Sequence, residues 1–139
     1  PDENDIRTFR KNARRLLRAA LRYDRQVVFM RDMPLLDFDI RRCFDFRPIR
    51  ITSKNDYILD CSISRTEIEA RERIFDEIID ALLQEFPGVV VYDPATVFCT
   101  DAKCIAASGG IPYYFDGDHL NRVGADTVID DLVRNSLIR

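Results

Sequence analysis

Six residues near the end of the chain, Asp116-Gly117-Asp118-His119-Leu120-Asn121, hold its single histidine and two carboxylates within four positions. Asp116 stands three residues before His119 in a glycine-containing turn, where its carboxylate can accept a hydrogen bond from imidazole Nδ1. Such a bond fixes the tautomer and leaves Nε2 open to take a proton from an alcohol, which is general-base chemistry. Asp118 is the second choice for the same role. A lone histidine is more often a surface or structural residue, so His119 carries weight only through these neighbours. Asp116, Asp118 and His119 could also bind a divalent cation weakly, but no Gly-rich phosphate loop accompanies them, and this reading ranks last. A zinc site built from Cys99, Cys104 and His119 lacks both the usual spacing and a clear fourth ligand. We therefore expect neither metal nor other cofactor.

The four cysteines allow three pairings, and closeness along the chain favours Cys43 with Cys61 and Cys99 with Cys104. An even count in a small domain suggests disulfides and an oxidising compartment. On the chain-entropy model the longer loop contributes roughly 3 kcal/mol and the shorter roughly 2 kcal/mol. The 139 residues and 46 % hydrophobic content suit one compact soluble domain. No apolar stretch reaches bilayer length and no signal peptide opens the chain; together with a start at Pro1, this is expected of a piece of something larger. Charge is uneven beneath the net value of -3: residues 1–50 hold 13 Lys+Arg against 8 Asp+Glu, and residues 51–139 hold 8 against 16. Most of the basic excess lies between Arg7 and Arg25. Because Ile6, Phe9, Ala13, Leu16, Leu17 and Ala20 recur at helical spacing, those cations read as the solvated face of a helix, and no nucleic-acid partner is expected.

The elements that must position the site follow from periodicity. Residues 5–23 read as an amphipathic helix and 26–30 as a short apolar strand buried on both faces. Residues 32–62 show no long period and read as an excursion pinned by Cys43 and Cys61. Ser64-Arg65-Thr66-Glu67 is a capping box. The stripe Ile68, Phe75, Ile78, Ile79, Leu82, Leu83 and Phe86 then carries a second helix to the stop at Pro87-Gly88. Val89 to Tyr92 is a second apolar strand, and strand, helix, strand in that order imply a right-handed parallel crossover and the α/β class. Residues 111–115 extend briefly, and a last helix is expected over 122–138, capped by Asn121 and burying Val128, Ile129, Leu132 and Val133. In open parallel sheets ligands sit beyond the carboxyl ends of the strands, where the Asp116–His119 segment can lie. Two strands leave open edges, so self-association through the Val27 to Met30 strand is expected.

Asp116-x-x-His119 followed by Leu120-Asn121-x-x-Gly124-Ala125 resembles the last block of SGNH (GDSL-like) esterases. More narrowly, nearly the whole chain resembles the extracytoplasmic SGNH domain fused to bacterial acyltransferase family three membrane proteins, which O-acylate surface polysaccharides. The matching features are a strand before Met33-Pro34, Phe38-Asp39-Ile40 leading to Cys43, Cys61 before a helix, and Tyr92-Asp93-Pro94 before Phe98-Cys99 and Cys104. The resemblance implies the C-terminal portion of a flavodoxin-like three-layer fold with a parallel sheet, residues 1–139 forming a single incomplete domain. It implies a periplasmic location, tethered to the inner membrane.

The family's nucleophile lies in a Gly-Asp-Ser block on its first strand, and further blocks build the oxyanion hole. Ser53, Ser62, Ser64, Ser108 and Ser136 lack that Gly-Asp context, and no convincing Gly-x-Asn is present. The resemblance thus implies that His119 acts on a serine from a missing N-terminal part, as base and then as acid, with Asp116 orienting it. The transferred group would be acyl, of acetyl type, moving onto or off a sugar hydroxyl, for which Tyr113 and Tyr114 could offer a stacking face. Packing of those tyrosines as ordinary strand aromatics is the more common outcome. The competing reading is a non-catalytic remnant that binds glycan or protein.

Overall fold

The computed structural model describes residues 2–23, 25–44 and 60–138. The order of elements is α1 (Glu3–Ala20), β1 (Val27–Met30), a 3-10 turn (Ile40–Cys43), β2 (Ser62–Ser64), α2 (Arg65–Leu83), β3 (Val89–Tyr92), α3 (Ala95–Phe98), β4 (Lys103–Ile105), β5 (Ala107–Ser108), β6 (Ile111–Pro112) and α4 (Arg122–Arg134). β1 and β3 pair in parallel, Val27 opposite Val89 and Met30 opposite Tyr92, which makes this an α/β chain with the expected parallel pair. β2 runs antiparallel to β4, and β5 to β6. The β5–β6 hairpin turns through Gly109 (φ 56°) and Gly110 (φ 80°), a pair of left-handed residues that suits a two-residue turn.

Contacts divide the chain into two compact units, Pro1–Arg31 with Arg71–Tyr92, and Asp32–Ala70 with Asp93–Arg139. In the first, α1 starts at a capping box in which Asp2 accepts from the Asp5 amide and Asp5 accepts from the Asp2 amide. Leu17 of α1 is buried with Ile79, Leu82, Leu83 and Phe86, and Phe29 and Val89 of the strands pack against that cluster. Arg14 meets Glu85 at 2.5 Å, and Arg31 bridges Asp76 and Asp80. The two strands are not buried throughout as their apolar runs suggested: Met30 is 48 % and Val91 42 % exposed, one on each face of a ribbon of only two strands. Phe75, expected in the buried stripe of α2, is half exposed and instead meets Phe9, ring centroids 5.4 Å apart.

The second unit holds the other core, formed by Leu36, Phe38, Ile40, Ile63, Ile68, Cys104, Ala106 and Tyr114. Residues 34–40 are therefore core-forming rather than an excursion, since Pro34, Leu36, Phe38 and Ile40 alternate inward. α4 begins where Asn121 Oδ1 accepts the Gly124 amide at 3.0 Å, and ends at Arg134, short of the expected Ile138. Val128 is buried, but Ile129 and Val133 are about half exposed, so the buried stripe of α4 is narrower than its sequence suggested.

The Cys99–Cys104 disulfide is present, its Cα atoms 3.9 Å apart. The expected Cys43–Cys61 bond is not formed. The Cys61 thiol points to the Cys43 backbone oxygen at 3.7 Å instead of its sulfur, and Cys61 has a left-handed backbone at φ 43°. Burial, and then the neighbouring Cys61 thiol, push Cys43 up to about 12. The intervening Ser53 lies outside the described residues.

Candidate active site

Asp116 and His119 sit on a short turn closed by the backbone. Tyr114 bridges Leu120, the Phe115 amide donates to the His119 carbonyl at 2.7 Å, and the Asn121 amide donates to the Tyr113 carbonyl at 2.9 Å. Asn121 Nδ2 also donates to the Pro112 carbonyl at 2.7 Å, so this one residue both caps α4 and anchors the turn. Two ties hold the turn to the core: the Leu36 amide donates to the Gly117 carbonyl at 2.9 Å, and the buried Tyr114 hydroxyl donates to the Pro34 carbonyl at 2.9 Å. At Gly124 a side chain is excluded, since a Cβ there would collide with the Tyr113 carbonyl oxygen and lie 3.0 Å from Leu120.

Within the turn, Asp116 Oδ1 accepts the Asp118 amide at 3.0 Å and the His119 amide at 2.8 Å. These two amides, in that order, hold the Asp116 carboxyl below the usual carboxylate range, and the imidazole adds to the effect. The carboxylate is thereby fixed and ionised before it meets the ring. His119 Nδ1 lies 3.0 Å from both Asp116 oxygens. Asp118 Oδ1 reaches the same nitrogen at 3.0 Å. Both carboxylates therefore face Nδ1, where a choice between them had been expected; Asp116 has the hydrogen-bonding geometry and is itself pinned by amides. The Asp116 hydrogen bond, and then the charges of Asp116 and Asp118, raise the His119 pKa above its ordinary value.

Two anions at Nδ1 keep a proton there, so the neutral ring presents an unprotonated Nε2. The His119 side chain is 72 % exposed. Among the described residues its ring nitrogens are engaged by Asp116 and Asp118. Ser62 is engaged with Asp60 and Ser64 with Thr66. The geometry suits proton exchange with a hydroxyl brought to Nε2 from elsewhere.

Asp116, Asp118 and His119 each offer one donor atom, all within 4.8 Å of one another, so a cation could be held there. Those atoms are already engaged with each other and with two backbone amides, which is the arrangement of an oriented base. The zinc alternative fails, because Cys99 and Cys104 are bonded to each other and offer no thiolate.

Tyr113 and Tyr114 do not form an open stacking face: Tyr114 is 2 % exposed and both rings pack on Phe98, with centroids 5.9 Å and 5.4 Å away for Tyr114 and Tyr113. The aromatic that opens to solvent is Phe115, 75 % exposed. Beside it lies a cleft of about 440 Å³ lined by residues including Asp39, Arg41, Phe44, Phe115, Asp116 and Asn121. Arg41 grips Asp39 through its side chain and backbone, taking the Asp39 carboxyl to about 2 against the opposing charge of Asp116. Sequence reading missed Asp39, Arg41 and Phe115 as neighbours of the site. Phe38-Asp39-Ile40 had been noted only as a family landmark, and nothing in its local pattern links it to a turn some eighty residues later.

The family model described as the SGNH domain (fused to AT3 domains) matches residues 1–134. No curated protein and no solved structure matches. With nearly its whole length matched, the described elements forming a mixed α/β arrangement with a parallel pair, and the Asp-x-x-His turn in place, the chain belongs to the SGNH domain family fused to AT3 domains.

Proposed function

We propose that this chain supplies the acid–base half of a Ser-His-Asp triad for acyl transfer or ester hydrolysis, of O-acetyl type, on cell-surface polysaccharide. His119 takes the proton of an incoming serine, and its imidazolium then protonates the departing alcohol. Asp116 holds the ring and stabilises its charged form. The serine and the oxyanion donors come from a segment outside these 139 residues, within a larger protein whose AT3 domain lies in the membrane. The site works on the extracytoplasmic side. Self-association through the exposed β1–β3 edge belongs to the same reading. The observation that carries the proposal is Nδ1 held by an amide-pinned carboxylate on a ring whose side chain is 72 % exposed. Fusion of this family to acyltransferase domains supports the reaction class.

A serine-directed fluorophosphonate tests the division of labour. The 139-residue chain should remain unlabelled and should not hydrolyse acetyl esters, because a base without nucleophile and oxyanion hole cannot complete acyl transfer. The protein carrying the Gly-Asp-Ser segment should label. Turnover by the chain itself, surviving repurification and lost on mutating one of its own serines, would show that the nucleophile has been misplaced.

A further inference from the structure

α1 carries a second feature that acyl transfer does not use. At about 100° per residue, Arg7, Lys11, Arg15 and Arg18 of α1 fall within an arc of about 80°, running about 17 Å along the helix, and Arg22 follows just past its end. All five are exposed. Arg7 donates to the neutral Asn4 amide oxygen at 2.8 Å. Among the described residues Lys11, Arg15, Arg18 and Arg22 form no ion pair within 4 Å; the flanking Arg14 takes Glu85, whose charge Arg18 also feels.

The second long helix handles its charges differently. On α2, Arg65 meets Glu69 at 2.8 Å and Arg73 meets Glu77 at 3.4 Å, each four residues on. Along the strip the four-residue neighbours within α1 are like charges, Arg7 with Lys11 and Lys11 with Arg15, and each such pair destabilises a helix. General basicity does not account for the strip, since the chain is net -3. A self-repelling ridge in an acidic chain is relieved by an external anion.

We infer that this strip docks on an anionic membrane surface. The remaining member of the arc is Asn4, so the strip itself holds no aromatic to stack a base or a sugar. A layer of mobile lipid phosphates needs no fixed spacing and is matched by cations alone. The inference rests on the reading that the parent carries a membrane domain, which keeps the strip close to a bilayer so that weak attraction suffices. Its effect is to limit the tumbling of the SGNH domain at the surface where its polysaccharide is handled.

Co-sedimentation of the purified chain with vesicles tests this without any catalytic readout, so its failure would leave the serine-labelling result standing, and the reverse. The chain should partition onto mixed phosphatidylglycerol–phosphatidylcholine vesicles and not onto phosphatidylcholine alone. Binding should vanish near about 1 M salt, where screening shortens to about 3 Å. Each neutralised cation should weaken partitioning roughly fivefold, so Lys11→Gln, Arg15→Gln, Arg18→Gln and Arg22→Gln combined should lose about two to three orders of magnitude. Arg65→Gln with Arg73→Gln should bind as the unaltered chain does. Far-UV circular dichroism checks the helix, and if the fourfold variant unfolds, Lys11→Gln and Arg22→Gln singly still give the slope. Equal binding to neutral vesicles, or full binding by the Gln variants, would overturn the inference. So would binding to a soluble anionic polysaccharide by a chain that stays off anionic vesicles.

Discussion

His119 gives up little freedom to burial and a great deal to charge: its ring is exposed, yet Nδ1 faces two carboxylates. An NMR titration should therefore place its midpoint above 6.5, the ordinary value. Asp116→Asn should bring the midpoint down, and Asp118→Asn should do so by less, because Asp116 supplies the hydrogen bond as well as charge. The sign has two consequences. Stability gained from the charged pair is fully present below the unfolded value and fades as pH rises through the raised folded one. Catalysis by the neutral ring runs the other way, so activity should rise through that same folded value and its acid limb should shift down in Asp118→Asn. Gly124 offers a contest of effects at the same scale. Replacing a helical glycine with alanine ordinarily stabilises by up to about 1 kcal/mol. Here the new Cβ would strike the Tyr113 carbonyl, so Gly124→Ala should cost about 1–3 kcal/mol in denaturant unfolding.

At the scale of elements, long periodic helices and uniformly apolar strands were legible, and segments of mixed composition were not. α1, α2, β1, β3 and the Asn121 cap follow from spacing and cap chemistry in the sequence alone. The Asp116–His119 contact was legible too, since three residues suffice for a turn to bring the carboxylate to Nδ1. Residues 34–40 escaped although Leu36-Asp37-Phe38-Asp39-Ile40 alternates, because the run is short and its burial depends on Ile63, Ala106 and Tyr114, which are distant in sequence. Tyr113 and Tyr114 pack as ordinary aromatics, the outcome the sequence favoured, but on Phe98 of another element, a partner that no local pattern names. The exposed Ile129 and Val133 show that an apolar stripe fixes which face of a helix can be buried, not how much of it is. The ties between core and site can be weighed. Tyr114→Phe removes the buried hydrogen bond to the Pro34 carbonyl and should cost about 1–3 kcal/mol, with a weakened His119 turn detectable as faster amide exchange at Phe115. Unchanged stability and exchange would show that the turn stands without this tie.

For the whole molecule, one exposed ribbon and one dithiol set the expectations. The exposed Met30 and Val91 on the β1–β3 ribbon should give concentration-dependent association in sedimentation velocity, reduced by Val91→Lys; a monomer at every concentration would remove the edge from the account. Cys43 and Cys61 lie side by side as thiols, and the high value for Cys43 keeps it protonated near neutrality, so closure should be slow without an added oxidant. Once closed, the bond should raise stability by roughly 3 kcal/mol, with Cys99–Cys104 unchanged in the peptide map. The central claim is that His119 is the base of a divided triad. Its most direct test is the acetyl-ester or acetyl-transfer rate of the protein that carries both the Gly-Asp-Ser segment and this chain, with His119→Ala as the comparison. The account predicts a fall in kcat of about four orders of magnitude or more with the fold intact. A rate indifferent to His119 would contradict it.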